Sequence, residues 1–139
     1  LTVIVGARDL EKGEKAAQEV GAGAHAIQLD VTNEASIAQA AALIRSRFGR
    51  LDILMNNAGL AVQKKAIDMT REDWRQVMDV NLDGVWYTAQ EAARRMIDSG
   101  RGGSISGWHR PRWRSRSMAC QSMRLWAPDA RPDGSFQPM

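Results

Sequence analysis

Apolar and polar positions along the chain mark out its elements in order. Leu1 to Val5 is an unbroken run of strand formers closed by Gly6 and reads as a buried strand. Residues 9–20 set Leu10, Ala16, Ala17 and Val20 among Glu and Lys, the pattern of a helix with a polar outer face, and Gly21 and Gly23 break it. Ala26 to Leu29 is a second short strand that ends at Asp30. Thr32 or Asn33 suits a helix N-cap, with Glu34 in the first turn, and Ile37, Ala41, Ile44 and Phe48 form one apolar stripe before Gly49. Leu51 to Met55 is a third strand, followed by Asn56-Asn57-Ala58-Gly59.

Thr70 followed by Asp73 resembles a capping box, and it opens a long helical pattern from about Arg71 to Ser99. Trp74, Val77, Met78, Val85, Ala89, Ala92, Met96 and Ile97 line one broad face of that pattern, and Gly100 suits the left-handed position after it. Asn81 interrupts the apolar stripe, although its amide competes with helical backbone hydrogen bonds. Strand and helix therefore alternate three times, which predicts a parallel α/β sheet with right-handed crossovers. Ligands in such sheets sit beyond the carboxyl ends of the strands. Arg8, Asp30 and the segment Asn56 to Gly59 all fall at strand ends, which points to a nucleotide site.

Charge divides the chain in two. Residues 1–106 carry 13 Lys/Arg and 14 Asp/Glu, net −1, whereas residues 107–139 carry six Arg and two Asp, net +4. The overall charge of +3 thus belongs to the tail. From Gly107 onward no helical or alternating period survives, and three of the five tryptophans lie there, Trp108, Trp113 and Trp126. The expected domains are 1–105, an α/β unit, and 106–139, an aberrant Arg/Trp-rich tail expected to be disordered. The abrupt switch reads as a change of reading frame in GC-rich coding sequence. Arg110, Arg112, Arg114 and Arg116 alternate with Pro, Trp and Ser, which gives the tail a minor rival reading as a weak nucleic-acid binder.

Other classes fare worse. The longest apolar runs are too short to span a bilayer, and no basic region followed by an apolar stretch opens the chain. A single cysteine, Cys120, forbids an internal disulfide and fits a cytoplasmic setting. Cys120, His25 and His109 lack metal-ligand spacing, so no metal is expected. Gly103-Ser104-Ile105-Ser106-Gly107 has Ile at the centre and is not a hydrolase elbow. The chain opens on Leu1, which suggests an upstream part.

Four segments in order resemble the classical short-chain dehydrogenase/reductase family: Asp30-Val31, Asn56-Asn57-Ala58-Gly59 after Leu51-Asp52-Ile53-Leu54-Met55, Asn81 within Asp79-Val80-Asn81-Leu82, and Gly102-Gly103-Ser104-Ile105. The resemblance covers about residues 1–105. It implies a partial Rossmann-like, doubly wound parallel sheet that lacks the family's first strand and everything after its strand 5. It also implies NAD(P)-dependent hydride transfer between a nicotinamide and a carbonyl or alcohol substrate, in a parent enzyme that forms homo-oligomers. Asp30 and Val31 would lie near the adenine, Asp30 accepting a hydrogen bond from the amino group; the alternative for Asp30 is a turn residue. Asn57, Ala58 and Gly59 would border the cofactor, Asn57 fixing the turn and the two small residues leaving room. Arg8 at the first strand end suits the 2′-phosphate of NADP, its alternative being a solvated Arg at a helix start, and NAD stays open because Asp9 adjoins it. Asn81 would be the catalytic-helix Asn, at a kink and binding a water of the proton relay.

The family's Gly-rich phosphate turn and first strand do not precede Leu1, and Gly21-Ala22-Gly23 is no substitute because it follows a helix. No Tyr-x-x-x-Lys follows Ile105; the one tyrosine, Tyr87, is followed four residues later by Glu91, and no lysine occurs after Lys65. The chain alone is expected to be inactive, its sheet to split where the missing central strand would lie, and its fold to be marginal. A non-catalytic partner docking through the 71–99 helix is the remaining alternative.

Overall fold

The computed structural model describes residues 1–109 and 119–125. The elements run β1 (Val3–Ala7), α1 (Leu10–Val20), β2 (Ala24–Gln28), α2 (Glu34–Phe48), β3 (Ile53–Asn56), α3 (Arg71–Met78), α4 (Gly84–Asp98), β4 (Gly103–His109) and β5 (Ala119–Leu125). A 3-10 turn at Ala66–Asp68 precedes α3, and a π-helical turn at Asp79–Asp83 joins α3 to α4.

Local chemistry sets the helix ends. Asp9 caps α1 by accepting from the Lys12 amide, and Asn33 caps α2 by accepting from the Ser36 amide. Gly49 closes α2 in the left-handed region at φ 77°, where a side chain would be strained. Thr70 and Asp73 form the reciprocal capping box at the start of α3.

Two sheets form. β1 and β2 pair in parallel, Val3 opposite Ala24 through Ala7 opposite Gln28. β3 and β4 pair in parallel, Ile53 opposite Ser104 through Asn56 opposite Gly107, and β5 joins β4 antiparallel. The expected split of the sheet is therefore present: no Cα of β1 lies within 8 Å of a Cα of β3.

Successive strand residues face opposite sides, and that fixes the layers. Ala26 faces α1, where the chain at Gly13 comes so close that a Cβ there would stand 3.4 Å from the Ala26 methyl. Ile27, its neighbour, faces α2 and lines a cavity with Ile37, Ala40 and Ile44. His25, two residues before Ile27, packs its ring at 5.1 Å on Phe48 of α2. α1 and α2 therefore cover opposite faces, and α4 packs beside α2 and under β3 and β4. Right-handed crossovers on opposite faces then place β3 on the β1 side of β2.

Four expectations need correction. The first strand is half-buried rather than buried, because one of its edges has no neighbouring strand. Leu10 and Val20 at the ends of α1 are exposed, and its covered face is Gly13 and Ala17. Trp74 and Ile97, read as part of the buried face of the long helix, are 55% and 57% exposed. The π-turn carries one residue more than an α-turn would, which rotates α3 by about 100° relative to α4 and takes Trp74 off the stripe of Ala92 and Met96. Ile97 lies one step round from the buried Met96. Finally, 105/106 is no element boundary: β4 runs on to His109, and Ala119–Leu125 forms a strand where no regular structure was expected. Arg110, Arg112, Arg114, Arg116, Trp113 and Trp126 lie outside the described residues.

Candidate functional site

Parallel strands bring the carboxyl ends of β1, β2, β3 and β4 to one edge of the molecule, and the candidate residues gather there in two groups.

Arg8 and Asp30 form the first group. Both line a cavity of about 330 Å³ together with Gln28, Asn33, Ser36 and Gln39. The Gln28 amide donates to the Arg8 carbonyl at 3.3 Å, tying the chain after β1 to the end of β2. Asp30 folds into a turn: its Oδ1 accepts from the Thr32 hydroxyl at 2.7 Å and the Thr32 amide at 2.9 Å, while its own amide donates to Ser36 Oγ at 3.0 Å. The Thr32 hydroxyl and amide bonds, helped by the Arg8 cation, hold the Asp30 carboxyl below its ordinary range. Asp30 is thus the turn residue of its alternative reading, with Oδ2 still turned to other uses. Asp9, whose acidity competed with Arg8 as a ribose ligand, is engaged at its Oδ1 as the α1 cap and stands 3.9 Å from the Lys12 ammonium.

Asn56 to Gly59 and Asn81 form the second group. Asn56 ends β3 and is held by α4: its Oδ1 accepts from the buried Thr88 hydroxyl at 2.8 Å. The single Thr88 proton is shared with the Gly84 carbonyl at 2.6 Å. Asn81 sits inside the π-turn and grips the loop beyond β3 at both backbone groups of one residue. Its Oδ1 accepts from the Leu60 amide and its Nδ2 donates to the Leu60 carbonyl, each at 2.8 Å. A π-turn relieves Asn81 of the helical geometry that its amide would oppose. The kink expected at Asn81 is therefore a π-turn, and its side chain binds backbone.

The expectation for Asn57 needs correction, since among the described residues its side chain makes no hydrogen bond. The turn is fixed instead by Asn56 on one side and by Asn81 through Leu60 on the other. A Cβ placed on Gly59 would meet only Asn81 Oδ1, at 3.8 Å, so the chain's own packing does not demand a glycine there. Ala58 and Gly59 are exposed at the same edge.

Val31 joins the groups. A Cβ on Gly84 would lie 3.0 Å from the Val31 carbonyl oxygen and 2.8 Å from Val31 Cγ2, so the segment after β2 runs directly against the start of α4. Sequence reasoning passed over Gly84 and Thr88, which read as ordinary helix residues; only a glycine and a threonine four apart beside Asn81 hinted at close packing.

The loop beyond Gly59 has one further anchor. Lys64 Nζ reaches Asp73 Oδ2 at 2.6 Å, on the carboxylate that also closes the α3 cap. The Lys64 ammonium and the Thr70 amide hold the Asp73 carboxyl below its ordinary range. Tyr87 lies on α4 at 40% exposure. No helix among the described residues is long and apolar enough to cross a membrane.

A split parallel sheet covered on both faces, with its polar groups at the strand ends, places the molecule in the Rossmann-like class of α/β folds. Comparison with known proteins narrows this. The family model for short chain dehydrogenases matches residues 1–106, and the chain belongs to that family. It is 41% identical over 97 residues to a sorbitol dehydrogenase of Cereibacter sphaeroides, covering 70% of this chain and 38% of that protein. It is 36% identical over 105 residues to an NADP-dependent (R)-specific alcohol dehydrogenase of Lentilactobacillus kefiri, covering 74% and 42%. A short-chain dehydrogenase/reductase structure from Mycobacterium marinum superposes with a TM-score of 0.76 at 31% identity, over 87% of this chain and 49% of that one. A 3-ketoacyl-(acyl-carrier-protein) reductase of Brucella melitensis, complexed with NADH, gives 0.67 at 30% identity, over 71% and 41%. The chain thus spans less than half the length of each of these relatives.

Proposed function

We propose that these residues are the adenosine side and the central turn of a nicotinamide-dinucleotide site, in an oxidoreductase acting on a small carbonyl or alcohol substrate. Arg8 pairs with a 2′-phosphate, which makes NADP the preferred cofactor. Asp30 offers Oδ2 to the adenine amino group, with Val31 beside the ring. Asn57, Ala58 and Gly59 border the cofactor, and the small side chains at 58 and 59 let it pass close to the backbone. Asn81 is the catalytic-helix Asn and holds that turn in place through Leu60. When bound, the nicotinamide supplies hydride transfer at its C4.

The observation that carries this reading is the pairing of Arg8 with Asp30 in one cavity at the strand ends, while Asp9 is taken up by the helix cap. The relative named as NADP-dependent supports the cofactor choice; the neighbour solved with NADH keeps NAD as its rival. No proton donor of the Tyr-x-x-x-Lys kind lies among these residues, and loss of a general acid costs about 10²–10⁴ in rate. The chain on its own is therefore a binding remnant without turnover.

Adenosine 2′,5′-bisphosphate tests the site without requiring catalysis. Titration followed by amide NMR is expected to shift Arg8, Asp30 and Val31, with 5′-AMP binding more weakly. A charge-assisted contact is worth about 1.5–3 kcal/mol, so Arg8→Ala should weaken the bisphosphate roughly 10–100-fold and leave 5′-AMP unchanged. Equal binding of both nucleotides by the unaltered chain would refute the assignment of Arg8.

A second reading has one observation in its favour. Leu82, Trp86 and Ile97 form an exposed stripe on the π-turn and α4, at 55%, 61% and 57% exposure. Such a face suits docking to a subunit of the same family, and co-purification with an intact relative would favour that role.

A further inference from the structure

We propose that the gap between β1 and β3 is a receptor for one extended, aliphatic segment of another polypeptide, taken up as a strand parallel to both. The inference is independent of the nucleotide reading, because it rests on the sheet alone.

Both walls are strand edges with backbone groups to offer. The Val3 amide donates to Gly23 and the Ala7 carbonyl accepts from Leu29, so the odd residues of β1 point at β2. Ile4 and Gly6 then direct their amides and carbonyls the other way, toward β3. The Ser104 amide donates to the Asp52 carbonyl, so Leu54 and Asn56 point at β4 and Ile53 points into the gap. The two edges run in the same direction, as crossover handedness requires.

The width admits one strand. Cα atoms of β1 and β3 are more than 8 Å apart, and two strands flanking a third stand about 9.5 Å apart. The α2–α4 pair bridges the two half-sheets beneath the gap, and 87% of the chain fits a single relative in one superposition, so both walls keep the spacing of one continuous fold. The floor is a cavity of about 320 Å³ lined by Ile27, Ile37, Ala40, Ile44, Leu54 and Ala92. Aliphatic side chains on the entering strand fill it. The other face of the gap also has apolar surface, since Ile53 is 57% exposed on the side away from α4.

Charge fixes the polarity of the occupant. Arg45, Arg50, Glu91, Arg95, Asp98 and Arg101 ring the amino end of the cavity. Arg50 is paired with Asp52 and Arg95 with Glu91, which leaves Arg45 and Arg101 against Asp98. The entering segment therefore carries an acidic residue ahead of its aliphatic run.

The test uses the full chain and the peptide acetyl-Glu-Glu-Val-Ile-Val-Ile-Val-Gly-Ser-amide. Its control has proline in place of the central valine, which removes one ladder donor and disfavours a central strand. Hydrogen exchange is read at the amides of Ile4, Gly6 and Ile53. The peptide should slow them about tenfold or more, and the control should not. No protection, or equal protection by both peptides, overturns the proposal. So does protection that rises with protein concentration in the absence of peptide, because a second copy would then be the occupant.

Discussion

Asn81 holds both the amide and the carbonyl of Leu60, and no other side chain in the candidate site makes two backbone bonds to one residue across 21 positions of sequence. Asn81→Ala returns both groups to water, because the site is exposed, so the cost is a net hydrogen-bond value of about 0.5–1.5 kcal/mol per bond. The Leu60 amide should exchange roughly tenfold faster while the amides of α2 stay unchanged; an unchanged Leu60 would show that the loop holds itself. Thr88 is different because it is buried. Thr88→Val keeps the volume and leaves Asn56 Oδ1 without its donor, so a loss of about 1–3 kcal/mol is expected in a denaturant titration. Candidate residues at strand ends were legible because a strand end is visible in sequence. The partners that aim them were not, since Thr88 lies 32 positions from Asn56 and Gly84 meets Val31 from another element.

Among the elements, α3 shows most clearly how sequence dictates a boundary. Thr70 and Asp73 exchange bonds across the first turn, and Thr70→Ala should cost about 1 kcal/mol of local stability, read as loss of helical circular dichroism. Lys64 adds a proton-dependent anchor. Asp73 has a lowered carboxyl pKa in the folded chain, so it favours the fold above the ordinary carboxylate range, and that contribution disappears as pH falls through the lowered value. Acid titration should therefore loosen the 60–69 loop and α3 first, and Asp73→Asn should flatten that part of the profile. Helices and their caps were readable because caps are local. β1 and the Ala119–Leu125 strand were misread for a common reason: a strand's burial and pairing depend on what lies beside it, which no local pattern states.

At the scale of the whole molecule the split sheet sets the behaviour. Among the described residues, Ile27, Ile37 and Met96 are the large apolar side chains below a tenth exposed, while Ile53, Trp74 and Trp86 exceed half. A central strand would bury several aliphatic groups at roughly 1.5–3 kcal/mol each, against a domain stability of about 5–15 kcal/mol. The isolated chain should therefore melt over a broad range and bind a hydrophobic dye; a sharp two-state transition would contradict this. The α/β class was legible from alternation alone, and the gap from counting strands against the family pattern. The exposed stripe on α4 was not, because the phase of a helix is lost at a residue that adds to its turn.

That added residue between Asp79 and Asp83 has a consequence for how the chain tolerates deletion. Removing one residue there would bring the two halves of the long helix back into phase, drawing the Trp74 indole toward the inside at the same moment that it swung the Asn81 amide off the loop. A shortened chain should thus gain firmness and lose its hold on the strand-end turn, so selection for robustness and selection for a working pocket pull this one turn in opposite directions.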